Sequence, residues 1–451
     1  MISMPASPTA AKAAFVAAIV AGLLGVAGCR RDPEVPSVVL VTIDTLRPDH
    51  LSYAGYSRAT SPHLDALAAR GLVFERARSH APVTAPSHAS ILTGRLPAWH
   101  LVLTNGDILN DGVDTLAELL AAAGFRTAAF VSNFTITHLV NFQQGFEHYD
   151  DALPQSELNR PQPERIAEDT VDAALAWLAD HRRERFFCWI HLQDPHGPYA
   201  PPAPYGEAFA AEARALPATV LPLLENQSGH GGIPRYQALD GERNANVYIA
   251  DYDGEIRYMD AQLGRVFDAL REWKLEPVLV VTADHGEALG EHGYYFAHGH
   301  GLTEDQIRVP LILSGPGIPA GSRSGAPVQH IDIVPTILAR VGVPAPKALP
   351  GRDLLALAAQ EHPVVAQAFP DEWAVVADGK KLLVWPERTV LYDLDRDPAE
   401  SRDVAAGEPS ATDALGSILA AARSAPPPPW SRTSAQRDLL RFQLKALGYI
   451  D

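Results

Sequence analysis

Five apolar runs of strand length mark the first three quarters of the chain: residues 37–43 (SVVLVTI), 127–131, 186–192, 277–282 (PVLVVT) and 309–314. Continuous rather than alternating apolar character is expected of strands buried on both faces. Between them, apolar positions recur at steps of three and four and predict helices at 62–71, 84–95, 114–123 and 164–181. A longer one follows, carried by Tyr248, Tyr252, Ile256, Met259, Leu263, Val266, Leu270 and Trp273. Strands alternating with helices argue an α/β fold with a doubly wound, mainly parallel sheet. In the 84–95 helix, Thr84 reads as N-cap, Pro86 suits the first turn, and Gly94 closes it.

The pattern breaks in two places. Residues 200–241 are rich in Pro, Gly and Ala without a period, too long for an ordinary connection, and predict a lid or a substrate-facing insertion. Beyond residue 350, short runs at 364–368, 373–377, 381–385 and 389–394 with turn signals between them predict a small antiparallel sheet. A helix at 411–422, a stiff APPPP linker and a last helix at 434–447 complete the chain. The expected division is a catalytic domain at 37–350, an antiparallel subdomain at 351–408 and a helical tail at 409–451.

Composition changes the picture at the N-terminus. Residues 13–27 are apolar, too short to span a bilayer comfortably, and preceded by Lys12, the form of an export signal. The sequence Val26-Ala27-Gly28-Cys29 resembles a bacterial lipobox, so residues 1–28 read as a lipoprotein signal, Cys29 as the lipidated first residue, and 29–36 as a tether. The expectation is an exported, membrane-anchored bacterial lipoprotein facing the periplasm or the cell surface. The only other cysteine is Cys188, so a lipidated Cys29 leaves no disulfide, and the core must supply the stability. A net charge of −17 argues against nucleic acid, because no basic stripe is available for phosphates.

Open α/β sheets collect ligands at the carboxyl ends of their strands. Asp44 follows the first run, and Asp284-His285 follows the fourth. One apolar run ending in an acidic residue is unremarkable; two are suggestive. Asp194 and His196 follow the third run, in Gln193-Asp194-Pro195-His196-Gly197-Pro198-Tyr199, and His298-Gly299-His300 precedes the fifth. Singly, each has a plain alternative: a helix cap for the aspartates, a turn or solvated-loop residue for the histidines.

Together these stretches resemble the sulfatase branch of the alkaline phosphatase superfamily from about residue 37 to 404. VTIDTLRPDHL, TAPSHASILTGRLP, WIHLQDPHGPYAPP, TADHGEALGEHG, HGHGLTEDQIRVPLI and QHIDIVPTIL carry the resemblance in order, and LYDLDRDPAESRDV is similar to that family's C-terminal subdomain. The resemblance implies a divalent cation (Ca, Mn or Zn) held by Asp44, Asp284 and His285, with Thr45 and Thr84 beside it. It places Thr84 at the nucleophile position, His196 and His298 near the ester oxygens and leaving group, and His88 where the family has an arginine. Asp194, His196 and His298 could form part of a second metal site. Threonine cannot mature to the formylglycine of sulfatases, so no formylglycine is expected. An imidazole at 285 favours Zn or Mn over Ca. The implied activity is hydrolysis of sulfate or phosphate esters of small molecules or glycans. The rival readings are a phosphodiesterase or phosphomonoesterase using Thr84 directly, and a sulfatase-like binding protein without turnover.

Overall fold

The computed structural model describes residues 35–356, 362–368 and 370–424. The stretch read as an export signal, Cys29, the proline-rich linker and the stretch expected to form a last helix therefore lie outside the described residues. The main sheet is built from β1 (Val38–Ile43), β2 (Leu72–Arg78), β3 (Arg126–Phe130), β4 (His148–Asp150), β5 (Phe186–Leu192), β6 (Val278–Ala283), β7 (Arg308–Ser314) and β8 (Ser322–Gln329). Their spatial order is β8-β2-β7-β6-β1-β5-β3-β4. All are parallel except β7, which runs antiparallel to both neighbours. Every residue of β1, β5 and β6 is buried, as continuous apolar runs require of central strands.

The register of these strands sets the site. β1 pairs with β6 so that Ile43 lies beside Ala283, and with β5 so that Ile43 lies beside Leu192. Asp44 and Asp284 thus leave the sheet as neighbours, each one residue past a paired position.

Helix α1 (Pro62–Ala68), α2 (Thr84–Thr93), α3 (Leu116–Ala122), α4 (Ala167–His181) and the 28-residue α5 (Ala245–Glu272) supply most of the predicted helical positions. α5 buries Tyr252, Ile256, Met259, Leu263 and Val266 completely. Each such side chain contributes about 1.5–3 kcal/mol by leaving water. Polar groups of α5 are also used: Asp260 accepts from the His63 and Leu64 backbone N–H groups (2.9 and 2.8 Å), satisfying the start of α1. Thr115, just before α3, forms a reciprocal capping box with Glu118.

Thr84 departs from expectation. Val83 is the N-cap of α2 and offers no side-chain cap of its own, and Thr84 is the first helical residue, so its hydroxyl is free for other work. The insertion at 200–241 forms short turns and one short helix (Ala210–Ala215) rather than a structureless loop.

The predicted antiparallel sheet is present as β9 (Val364–Ala368), β10 (Glu372–Ala377), β11 (Lys380–Val384) and β12 (Thr389–Asp393). Helix α6 (Pro409–Arg423) packs on it through Leu415 and Leu419 against Trp373, Val375, Leu382 and Leu391. The small subdomain therefore continues into this helix rather than stopping at 408.

Lys381 of β11 is fully buried and pairs with Glu304 (3.2 Å) and Glu400 (2.9 Å), while Arg78 of β2 holds Glu304 from the other side (2.8 Å). Lys381→Met is expected to cost about 3–5 kcal/mol, because it strands a buried carboxylate without its partner. Thermal melts check this, and adding Glu400→Gln should restore part of the loss. Those cations hold the Glu304 carboxyl well below its ordinary value of 4.5. Its stabilisation is therefore present above that pH and lost progressively below it.

Candidate active site

The carboxyl ends of β1 and β6 converge on a buried cluster. Asp44, Thr45, Thr84, Asp284, His285 and Glu287 are all essentially inaccessible to water. The Asp284 Oδ1 accepts two backbone N–H groups, from His285 (2.7 Å) and Thr45 (3.2 Å). Thr45 sits at φ 55°, a left-handed conformation that a β-branched residue adopts only under constraint. That constraint comes from α5: the Tyr252 hydroxyl donates to the Thr45 carbonyl (2.8 Å) and accepts from the Arg47 N–H (3.0 Å). Gly286 lets the chain pass the 305–306 backbone, where an added Cβ would lie 2.0 Å from the Asp305 carbonyl oxygen.

Three acceptors then face one another without hydrogen-bond partners: Asp44 Oδ1, Asp284 Oδ2 and His285 Nε2. His285 Nε2 lies 3.6 Å from the Asp44 oxygen and 3.5 Å from the Asp284 oxygen. The imidazole donates Nδ1–H to the Gly286 carbonyl (2.9 Å), so a neutral ring turns its Nε2 lone pair toward both carboxylates. Burial holds the ring neutral, with a pKa lowered to about 4, and pushes the Asp284 carboxyl up to about 8. Burial also raises Asp44 well above the carboxylate range, with Asp284 adding to the rise. Three inward-facing lone pairs repel one another unless a cation lies among them. The donor set, two carboxylates and an imidazole, suits a divalent metal. Thr45 Oγ1 is a further buried oxygen without a partner.

His88 and His191 also approach Asp284 as a possible ligand group. Both His88 nitrogens are occupied, however: Nδ1 bonds the Thr84 carbonyl (2.8 Å) and Nε2 bonds Thr42 Oγ1 (2.9 Å). His88 thereby fixes the first turn of α2 rather than facing the cleft. Where the implied arginine would carry charge, burial holds His88 neutral, with a pKa of about 3.

Thr84 Oγ1 donates toward Asp44 Oδ2 (3.5 Å), which also accepts from Asn133 Nδ2 (3.0 Å). Thr84 lines a cleft of about 160 Å3 together with Asn105, Asn133, Glu157, Arg160, His196, Gln227, Tyr236 and His298. His196 and His298 stand edge to face, 5.2 Å between ring centres, and His298 is 4.5 Å from the His285 ring. His298 Nδ1 is held by Glu287 (3.2 Å), and His196 Nδ1 accepts from Gln193 Nε2 (3.1 Å). Burial lowers both histidines, His298 to about 3, and raises Glu287 to about 8.

The second metal group expected at Asp194, His196 and His298 is not assembled among the described residues. Asp194 Oδ2 instead accepts the Ala167 N–H (2.8 Å) at the start of α4, and burial together with the Asp194 charge raises the Glu255 carboxyl well above its ordinary value. A helix start with unpaired N–H groups is a better partner for this carboxylate than a distant histidine pair. His300 lines a different cavity, with His230 and Tyr294. His292 is exposed, and Glu291 is engaged by Arg47 (2.8 Å).

Sequence reasoning missed Asn105, Asn133, His191 and Glu287. Asn105 accepts the Ala85 N–H (2.9 Å) at the head of α2. His191 Nε2 lies 3.8 Å from Asp44 Oδ2. A histidine inside the otherwise apolar FFCWIHL run was the available signal, since a polar residue on a buried central strand needs a partner.

Residues 36–343 match the family model described as Sulfatase. Human arylsulfatase K is 26% identical, with 86% of this chain and 82% of that protein covered. The Delta 4,5-hexuronate-2-O-sulfatase of Bacteroides thetaiotaomicron is 25% identical over 82% of this chain and 85% of its own length. The fold is shared with the phosphonate monoester hydrolase of Agrobacterium radiobacter (TM-score 0.70, 21% identity, 86% of this chain and 95% of that one). With the family model spanning most of the chain and the acidic strand ends in register, the protein belongs to the sulfatase family of ester hydrolases.

Proposed function

We propose that this chain is a divalent-metal-dependent hydrolase of sulfate or phosphate esters in which unmodified Thr84 is the nucleophile, and that phosphoryl transfer is its better reaction. The observation that carries the reading is the convergence of Asp44 Oδ1, Asp284 Oδ2 and His285 Nε2, unpartnered, on the strand end whose other carboxylate oxygen meets Thr84 Oγ1. A cation bound by those three residues would lower the pKa of the threonine hydroxyl and draw charge from the ester oxygens.

The chain's own groups account for the remaining work. Thr84 Oγ gives its proton toward Asp44 and attacks phosphorus, forming a Thr84 phosphoester as the bond to the leaving oxygen breaks. Asn105 and His88 hold the first turn of α2 so that the attacking oxygen does not swing away. His196 and His298, kept neutral by burial, offer N–H groups that hydrogen-bond the leaving oxygen, which takes its proton from solvent. Water, oriented by His196, then attacks phosphorus; the bond to Thr84 Oγ breaks, Asp44 returns the proton to Oγ, and the attacking water loses its proton to solvent. Sulfatases with formylglycine release sulfate by expelling it from a geminal diol, and threonine has no such route, so a sulfothreonine would be cleared slowly.

The test is a panel of 4-nitrophenyl sulfate, 4-nitrophenyl phosphate, bis(4-nitrophenyl) phosphate and a phosphonate monoester, assayed with Zn, Mn and Ca. A phosphorus ester should be the best substrate and chelation should abolish its turnover. A sulfate ester hydrolysed far better than every phosphorus ester overturns the preference, and full activity after complete metal removal overturns the mechanism.

A further inference from the structure

The cleft above Thr84 has a wall made by two segments that take no part in the chemistry above. One is a hairpin in which Gln155–Ser156 pairs with Pro163–Glu164, its base bridged to Asn133 through Glu164. The other is the part of the 200–241 insertion that brings Gln227 and Tyr236 to the cleft. Asn159 joins them, its side-chain amide donating to the Tyr236 and Ala238 carbonyls (2.8 Å each).

Arg160, at the hairpin tip, is the one lysine or arginine among the described residues that line the cleft. Its guanidinium lies over the Tyr236 ring, 4.1 Å from the centroid. Nε and one Nη are taken by Glu157, which is almost fully buried. The other Nη makes no hydrogen bond among the described residues. Stacked on one face and clamped along one edge, the group is held in place before any ligand arrives, so little rotamer freedom remains to be lost on binding. Its charge reaches the site, where it disfavours protonation of His196 and His298.

The geometry points to Arg160 as a specificity residue that binds a second anionic group, a carboxylate or sulfonate-like oxyanion, carried by the same substrate molecule beside the reacting ester. On that reading the reacting ester's own charge would be met by the cation that Asp44, Asp284 and His285 would hold and by the head of α2; Arg160 belongs to the hairpin, a separate element. The free Nη and the outward N–H of the other Nη form the end-on edge of the guanidinium, two parallel donors that match the paired oxygens of a carboxylate or sulfate. The inference rests on the ester-hydrolase reading for the location of the reacting group.

The experiment compares phenyl phosphate with 3-carboxyphenyl phosphate and 3-sulfophenyl phosphate on the metal-loaded protein, for the wild type, Arg160→Gln and Arg160→Lys. The wild type should show a KM about tenfold lower for at least one doubly anionic ester than for phenyl phosphate, and the two arms tell carboxylate from sulfonate recognition. Arg160→Gln should erase that preference by raising KM for the doubly anionic ester about tenfold, with kcat little changed, and Arg160→Lys should keep part of it. A preference that survives Arg160→Gln overturns the proposal. So does an equal loss on all three esters, which would place Arg160 on the reacting group or in a purely structural role. Should the wild type turn over none of them, the hydrolase reading fails separately. Calorimetric binding of 3-carboxyphenyl phosphate to wild type and Arg160→Gln then decides the role of Arg160 by itself.

Discussion

Replacing Thr84 by alanine is expected to lower turnover of the best phosphorus ester by about three orders of magnitude or more, the scale seen when a nucleophile is removed. The size of the effect follows from the surroundings of the hydroxyl. It stands at the first residue of α2, where N–H groups and the helix dipole favour developing negative charge. It donates toward Asp44 Oδ2, a carboxylate oxygen of the proposed cation site (3.5 Å). The methyl left by alanine keeps the helix geometry, because Val83 and not Thr84 is the N-cap, so the fold should be undisturbed. Mass spectrometry of the wild-type peptide should show ordinary threonine, and quenching during turnover should trap a phosphate on it. A Thr84→Ala protein retaining more than about a tenth of wild-type activity would remove Thr84 from the mechanism.

Asp284→Asn should produce the second large change, a drop of about a hundredfold or more in metal affinity with activity falling alongside. A site with three protein ligands has little redundancy to absorb the loss of one charged oxygen. Asparagine can keep the acceptor that Thr45 and His285 N–H groups use while placing an amide N–H where Oδ2 faces Asp44 and His285. The metal-free variant is therefore expected to melt no lower than the metal-free wild type, since the buried Asp284 carboxyl, pushed up to about 8, must take a proton to sit beside Asp44, whereas the amide supplies its N–H without one. Metal content by elemental analysis and melting curves with and without chelator check both halves. Full metal occupancy in Asp284→Asn would refute the ligand assignment.

The central sheet was readable because its innermost strands are continuous, almost wholly apolar runs, as β1, β5 and β6 must be when buried on both faces. The peripheral strands were not. β2, LVFERAR, exposes Glu75 in mid-run, and β8, SRSGAPVQ, carries a glycine and a proline that read as loop. An edge strand needs partners on one side only, and β8 tolerates its proline across a register shift. In the site, residues at the ends of readable strands were found: Asp44, Asp284 and His285. Asn105, Asn133, Glu157 and Arg160 lie on loops and a two-residue hairpin, where no local period marks them, and only tertiary contact gives them meaning. The cap reading of Thr84 fails by one residue: the helix begins at Thr84 itself, with Val83 as its N-cap. Asp194, read as a possible ligand, is drawn off by the unpaired start of α4.

The in-register pairing of Ile43 with Ala283 has an evolutionary consequence. The two carboxylates owe their meeting to the alignment of two central strands, whereas the cleft wall is built from a hairpin and an insertion that hang outside the sheet. Mutations, insertions and exchanges in those outer segments can accumulate without moving Asp44 relative to Asp284. A lineage with this arrangement can retarget to new esters by rewriting residues 155–164 and 200–241 while its reaction centre is inherited unchanged. A single-residue slip between β1 and β6, by contrast, would be lethal to the chemistry in one step, since it would turn one of the two acids to the opposite face of the sheet.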